Sequence, residues 1–300
     1  MKKGMNGFIY RVKSILLLLC CILFSVTVEA RSGFTMWQLP SQVNTVGNSY
    51  VMLTGNGRVV VIDGGSHQEE FYLRGFLAAL GNEVEAWFVS HPHEDHVGAL
   101  TTILKNPDGL KIKRLYESRF PEELIEADDQ LHRKKPAYDY YDALEKSGIQ
   151  VIQLKEPGLE DEIDGLNFKV LGVTNPEITV NPFNNSSVVI RVWDKKKSIV
   201  FLGDTGVESG NKLLNSQYKK DLDCDYLQMA HHGQQGCNEY FYKSIKFRAC
   251  LWATPTWVWN NDVGEGFNTA YMTTIETRRW MDEIGITEHY IAWQGLVKIE

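Results

Sequence analysis

The chain has 300 residues, 43% of them hydrophobic and 23% charged, with a formal net charge of −7. This balance belongs to a globular protein able to bury a large core, and it excludes a disordered or collagen-like chain. The acidic sign disfavours nucleic acid as a partner, because avid binding rests on Lys and Arg neutralising phosphates.

The first thirty residues stand apart. Lys2, Lys3, Arg11 and Lys13 precede an apolar run over residues 15–28, and Val28-Glu29-Ala30 offers a small-residue cleavage site. This reads as a signal peptide over residues 1–30, followed by a single secreted, periplasmic or cell-surface domain over residues 31–300. The run is shorter than the ~20 residues of a membrane span, so an uncleaved anchor is the lesser alternative. Cleavage removes four basic groups and one acid, taking the charge from −7 to −10. Cys224, Cys237 and Cys250 remain, without a CxxC pair. Neither a disulfide framework nor a structural zinc site is indicated, and one bridge with one free thiol stays open.

From Thr35 onward short apolar strands alternate first with turns and then with helix-like segments. Residues 49–53 and 58–62 read as a hairpin across Gly55-Asn56-Gly57, and the second strand runs into Asp63-Gly64-Gly65. Helical spacing of Phe71, Leu73, Phe76, Leu77 and Leu80 predicts a helix over 69–80, stopped by Gly81-Asn82. A strand over 84–90 delivers His91-Pro92-His93-Glu94-Asp95-His96, and a helix over 97–104 follows. Residues 105–147 are the most polar stretch and read as exposed outer helices, with a lid over a site as the sharper alternative. Strands return at 150–154, 166–172, 187–193, 198–202 and 224–229.

Imidazoles and carboxylates crowded into His91-x-His93-x-Asp95-His96 at the end of a strand are expected to hold metal. His91 and His93 would hold one ion, with Asp95 and His96 turning to a second. The strand ending in Gly203-Asp204 presents a carboxylate whose two oxygens can bridge two cations, although capping the next helix explains it equally well. The strand over 224–229 ends in Ala230-His231-His232-Gly233, where His231 is expected as a metal ligand and His232 as its neighbour on the substrate side. Asp63, at another strand end before two glycines, either orients a metal-bound histidine by accepting its free ring N–H or serves as a simple turn residue, the two readings being equally open. Late in the chain Trp257 and Trp259 are candidates for substrate stacking, against the alternative of core packing, and Gln234 sits beside the histidine pair.

In this order, strand-Asp63-Gly64-Gly65, His91-x-His93-x-Asp95-His96, Gly203-Asp204 and His231-His232-Gly233 resemble the metallo-β-lactamase superfamily. The resemblance spans residues 50–235 and implies an α/β fold, the αββα sandwich, with metals at one sheet edge. The stretches Asn185-Ser186-Ser187-Val188-Val189-Ile190-Arg191, Phe201-Leu202-Gly203-Asp204 and Ala230-His231-His232-Gly233 look most like the metallo-β-lactamase-like domain of competence-type DNA-uptake channels and related phosphorylcholine esterases. One departure stands out: many superfamily members carry another histidine ligand between the first motif and the Gly-Asp turn. Here that interval holds only His132, beside Arg133-Lys134-Lys135. The Asn/Ser-rich turn of the competence-type branch matches Asn185, Ser186 and Ser187 instead, which implies a first metal held by His91, His93 and Asp204 and completed by solvent.

The resemblance implies one or two divalent ions, Zn2+ first and Mn2+ second, that acidify a bound water toward a pKa of ~7. Asp95 would steady the nucleophile, and His232 would contact the substrate or protonate the leaving group. Asn185 and Ser186 would lie behind the ligands or near the substrate. The expected activity is hydrolysis of a phosphodiester or related ester of a small molecule or the cell envelope, with no protein partner implied. The alternatives are a thioester or lactone hydrolase and a secreted binding protein that has lost activity.

Overall fold

A computed structural model describes residues 33–128 and 130–300; the expected signal peptide lies outside the described residues. In chain order the elements are β1 (Phe34–Gln38), β2 (Ser49–Thr54), β3 (Val59–Asp63), α1 (Glu70–Ala79), β4 (Glu83–Val84), β5 (Ala86–Phe88), α2 (Glu94–Lys105), β6 (Lys111–Ile112), β7 (Arg114–Glu117), α3 (Glu122–Ala127), α4 (Leu131–Ser147) and β8 (Gln150–Gln153). There follow β9 (Glu160–Ile163), β10 (Leu166–Gly172), α5 (Pro182–Asn185), β11 (Val189–Trp193), β12 (Ser198–Phe201), α6 (Val207–Leu214), β13 (Tyr226–Gln228), α7 (Glu239–Lys243), β14 (Ala249–Trp252), α8 (Thr256–Trp259), α9 (Thr274–Glu283), β15 (Glu288–Ile291) and β16 (Val297–Ile299).

Two seven-stranded sheets form, in the orders β16-β1-β2-β3-β5-β7-β8 and β15-β14-β13-β12-β11-β10-β9. In each, antiparallel pairs on one side give way to parallel pairs on the other, β3-β5-β7-β8 in the first sheet and β12-β13-β14-β15 in the second. Strands buried on both faces must be apolar at every position, and Val59-Val60-Val61-Ile62 is such a run. Val60, Ile62, Phe88, Ile199 and Phe201 point into a core between the sheets. Their neighbours Val59, Val61 and Trp87 face α1, α2 and α4, while Val200 and Leu202 face α6, α7 and α9. The layers are helix, sheet, sheet, helix, as expected of the αββα sandwich.

Two expectations need correction. The helix expected over 97–104 starts at Glu94, with His93 extended at its N-cap. Glu94 and Asp95 favour this earlier start, since carboxylates in a first turn meet the positive end of the helix dipole. The polar stretch 105–147 is not wholly exposed: α4 buries Ala137, Tyr140, Tyr141, Ala143 and Leu144 and packs on α2. Its charge pattern reports the outer face alone.

Candidate metal centre

The C-terminal ends of β3, β5, β12, β13 and β14 meet along one edge of the sandwich, where the turning backbone frees side chains from both sheets. The two sheets are stitched there by the Val188 N–H donating to the Ser90 carbonyl (2.8 Å). Gly203 sits at the junction with φ +55°, and a Cβ there would come within 2.9 Å of both Ser187 Oγ and Ser90 Cβ. Glycine is therefore required immediately before Asp204.

Two groups of ligand atoms converge at this edge. Asp95, His96, Asp204 and His232 form one, and His91, His93 and Asp204 form the other, with the atoms of each group within 4.8 Å of one another. His91 Nε2 lies 3.0 Å from His93 Nδ1 and 3.6 Å from Asp204 Oδ2. His96 Nε2 lies 3.1 Å from Asp204 Oδ1 and 3.7 Å from Asp95 Oδ2, and His232 Nε2 lies 3.0 Å from Asp95 Oδ2. His96 Nε2 and Asp204 Oδ1 are buried without a hydrogen-bond partner despite their proximity, as is His93 Nε2. Buried polar atoms left without a partner are costly, and a cation would satisfy the lone pairs of the carboxylate oxygen and of the ring nitrogens. The all-imidazole and carboxylate set fits Zn2+, Mn2+ or iron.

The surrounding side chains aim these ligands. Asp63, fully buried at φ +55°, accepts hydrogen bonds from the Ser90 N–H (2.7 Å), Ser90 Oγ (2.8 Å) and Asn48 Nδ2 (2.8 Å), and pairs with His96 Nδ1 (2.8 Å). His96 Nε2 is thereby turned to the centre, the orienting geometry expected of Asp63. Ser187 Oγ accepts the Asp204 N–H (2.9 Å) and lies 3.3 Å from His91 Nδ1. Phe183 stacks on His93 with ring centroids 5.1 Å apart. Sequence reasoning missed Asn48, Ser90 and Phe183, since nothing in one sequence marks a residue whose only role is to brace another.

Burial holds His91 well below its ordinary pKa and brings His93 down to about 4, despite the nearby carboxylates. Burial thus favours the neutral form of both rings, the form that can offer a lone pair. Burial also opposes charge on His96 and His232, yet Asp204 and Asp95, joined at His96 by Asp63, outweigh it and raise both. Burial would raise Asp95 and Asp204, but the adjacent histidines, His96 foremost, hold both carboxylates below the usual range.

The paired histidines both approach Asp204, His231 Nε2 at 3.8 Å and His232 Nε2 at 3.7 Å from Oδ2, but point in different directions. His232 joins the second ligand group, because its Nδ1 is tied to the Ala253 carbonyl (2.9 Å) and its Nε2 points inward. His231 falls outside both groups; its Nε2 meets Asn184 Nδ2 and Gln234 Nε2, each at 3.2 Å. Both histidines adopt left-handed backbone, φ +51° and +57°. The strained turn sends adjacent rings in different directions, which strand periodicity cannot anticipate. The side chain of His231 is 17% exposed against 1% for His232, so it lies toward the opening.

Asn185 and Ser186 do not face the ligands as expected. Asn185 Oδ1 accepts the Ser209 N–H and Oγ at the start of α6, and Ser186 Oγ accepts the Asn175 N–H. Asn184, one residue earlier, is the one that reaches the site. Trp259 is a packing residue, edge-on to Trp252 at 5.2 Å and under Arg278 at 4.1 Å. Trp257, on the same helix, is half-buried with its indole N–H unpartnered. Cys224, Cys237 and Cys250 are all free thiols.

A family model described as the metallo-beta-lactamase superfamily matches residues 44–236, which include Asp63 and every residue of both ligand groups. No curated protein matches the chain. Among solved structures, the metallo-beta-lactamase fold protein YhfI from Bacillus subtilis is similar, with TM-score 0.53 and 14% identity, over 90% of this chain and 100% of that one. CmlA, a diiron beta-hydroxylase from Streptomyces venezuelae, is similar with TM-score 0.53 and 11% identity, over 90% of this chain and 54% of that one. These two likenesses are of fold.

Proposed function

The chain belongs to the metallo-β-lactamase superfamily, and from that premise we propose that it is a metal-dependent hydrolase of phosphodiester or related ester bonds, acting outside the cytoplasm. The observation that carries the reading is the pair of buried ligand groups joined at Asp204. His91, His93 and Asp204 would hold one divalent cation, and Asp95, His96, His232 and Asp204 a second. When bound, such ions supply Lewis acidity and a water acid enough to act near neutral pH, chemistry suited to ester hydrolysis.

The chain's own groups do the rest. Asp63 and Ser90 fix the His96 ring, the Ala253 carbonyl fixes His232, and Ser187 holds the Asp204 backbone. These contacts pre-set the ligand atoms so that little reorganisation is needed at reaction. His231, toward the opening and braced by Asn184 and Gln234, is placed to meet the substrate. The basic and then apolar start of the chain supports export.

The test is a panel of chromogenic phosphodiesters, thioesters and lactones, run with Zn2+- and Mn2+-loaded protein and with His93→Ala. Phosphodiester turnover that His93→Ala abolishes is expected. Turnover of acyl substrates alone would overturn the phosphodiester reading, and failure to retain either metal would overturn the enzyme reading.

A further inference from the structure

A cavity of ≈ 120 Å³, lined by none of the ligand residues themselves, lies between the second sheet and α6. We propose that it binds a short aliphatic carboxylate. The space exists because small residues line it: Gly172 at a bulge in β10, with Ser187, Thr205 and Ser209. Leu171, Val189 and Leu213 supply an apolar wall. A Cβ on Gly172 would stand only 3.3 Å from Val189 and 3.4 Å from Leu213, so even one methyl there crowds the space. An apolar cavity of about 150 Å³ takes the six carbons of benzene, and in proportion this one takes about five.

The rim supplies the head-group partner. Lys212 Nζ donates to Asn175 Oδ1 and Glu177 Oε1, both at 2.6 Å, and an ammonium has a third donor. A carboxylate at the rim would take the third donor or compete with Glu177 for this ammonium. The Lys212 and Glu177 side chains are 56% and 57% exposed, so their pair is screened by water and readily exchanged. Ser187 belongs both to the cavity wall and to the bracing of Asp204 and His91. An occupant therefore abuts a residue that orients two ligand candidates, and any effect it has on cation affinity is matched by an equal effect of the cation on its own affinity.

Calorimetric titration and thermal shift with hexanoate, hexanol and acetate test the assignment. Hexanoate is expected to bind and raise the melting temperature, acetate to do neither, and hexanol to bind about tenfold more weakly for want of the charge-assisted contact. Lys212→Met should bring hexanoate down to the level of hexanol, and Leu213→Phe, which fills the cavity conservatively, should abolish both. Equal binding of hexanol and hexanoate, equal binding of acetate and hexanoate, or unchanged binding in folded Leu213→Phe would overturn the proposal. Zn2+ affinity, read by competition with a chromogenic chelator, should differ with and without hexanoate; identical values would overturn the coupling.

Discussion

Replacing Asp63 by Asn removes one charge while retaining the shape and a residue that tolerates the left-handed backbone this position adopts, φ +55°. The carboxylate meets four polar groups: the Ser90 N–H, Ser90 Oγ, Asn48 Nδ2 and His96 Nδ1. An amide keeps one acceptor oxygen and turns an NH2 toward the remaining donors, leaving about two of them unsatisfied in a site with no access to water. At roughly 1–3 kcal/mol for each stranded group, the metal-free protein should lose about 3–5 kcal/mol. Loss of the partner that orients His96 should weaken cation binding by about 10- to 100-fold. Urea denaturation after chelator treatment measures the first quantity, and chelator competition with Zn2+ measures the second. A midpoint unchanged from wild type, together with Zn2+ affinity within about twofold, would refute the reasoning that Asp63 anchors this edge.

His232→Ala should lose one of two bound cations per molecule by elemental analysis, while His231→Ala should keep both and lose turnover; the opposite pattern would restore the roles expected from sequence. In the metal-free protein His96 and His232 titrate above the unfolded value of about 6.5, so the stability they contribute is complete below that pH and is lost as pH rises through their folded values. Above about pH 7.5, where His91, His93 and His231, all lowered by burial, no longer contribute a pH dependence, denaturation midpoints should therefore fall as pH rises, and a flat or rising trend there would contradict the assignment. Gly233→Ala places a Cβ 2.3 Å from the Trp252 ring at φ +80°, and should lower the melting temperature and disturb His232. Trp259→Ala should cost about 2–3 kcal/mol, less than a fully buried Trp, while Zn2+ affinity stays at the wild-type value; a loss confined to Zn2+ binding would return this residue to the site.

Much of the site was legible because its chemistry is local in sequence. His91, His93, Asp95 and His96 share one loop and helix start, and their crowding after an apolar strand already implies a cation. Asp63 and Asp204 were legible as carboxylates at strand ends. Apolar runs such as Val59-Val60-Val61-Ile62 announced strands covered on both faces, and with them the layered α/β fold.

What depended on distant contacts was decided by the tertiary structure. Which of His231 and His232 turns inward is set by the Ala253 carbonyl and a left-handed turn. Whether Asn184 or Asn185 reaches the site is set by the start of α6, where Ser209 claims Asn185. The pairing of β16 with β1 joins the two ends of the described chain, and no local pattern specifies it. Sequence by itself determined which atoms can hold a cation, because side-chain chemistry belongs to each residue. The fold decided which of them meet, because direction at an edge where two sheets join depends on partners far away in the chain.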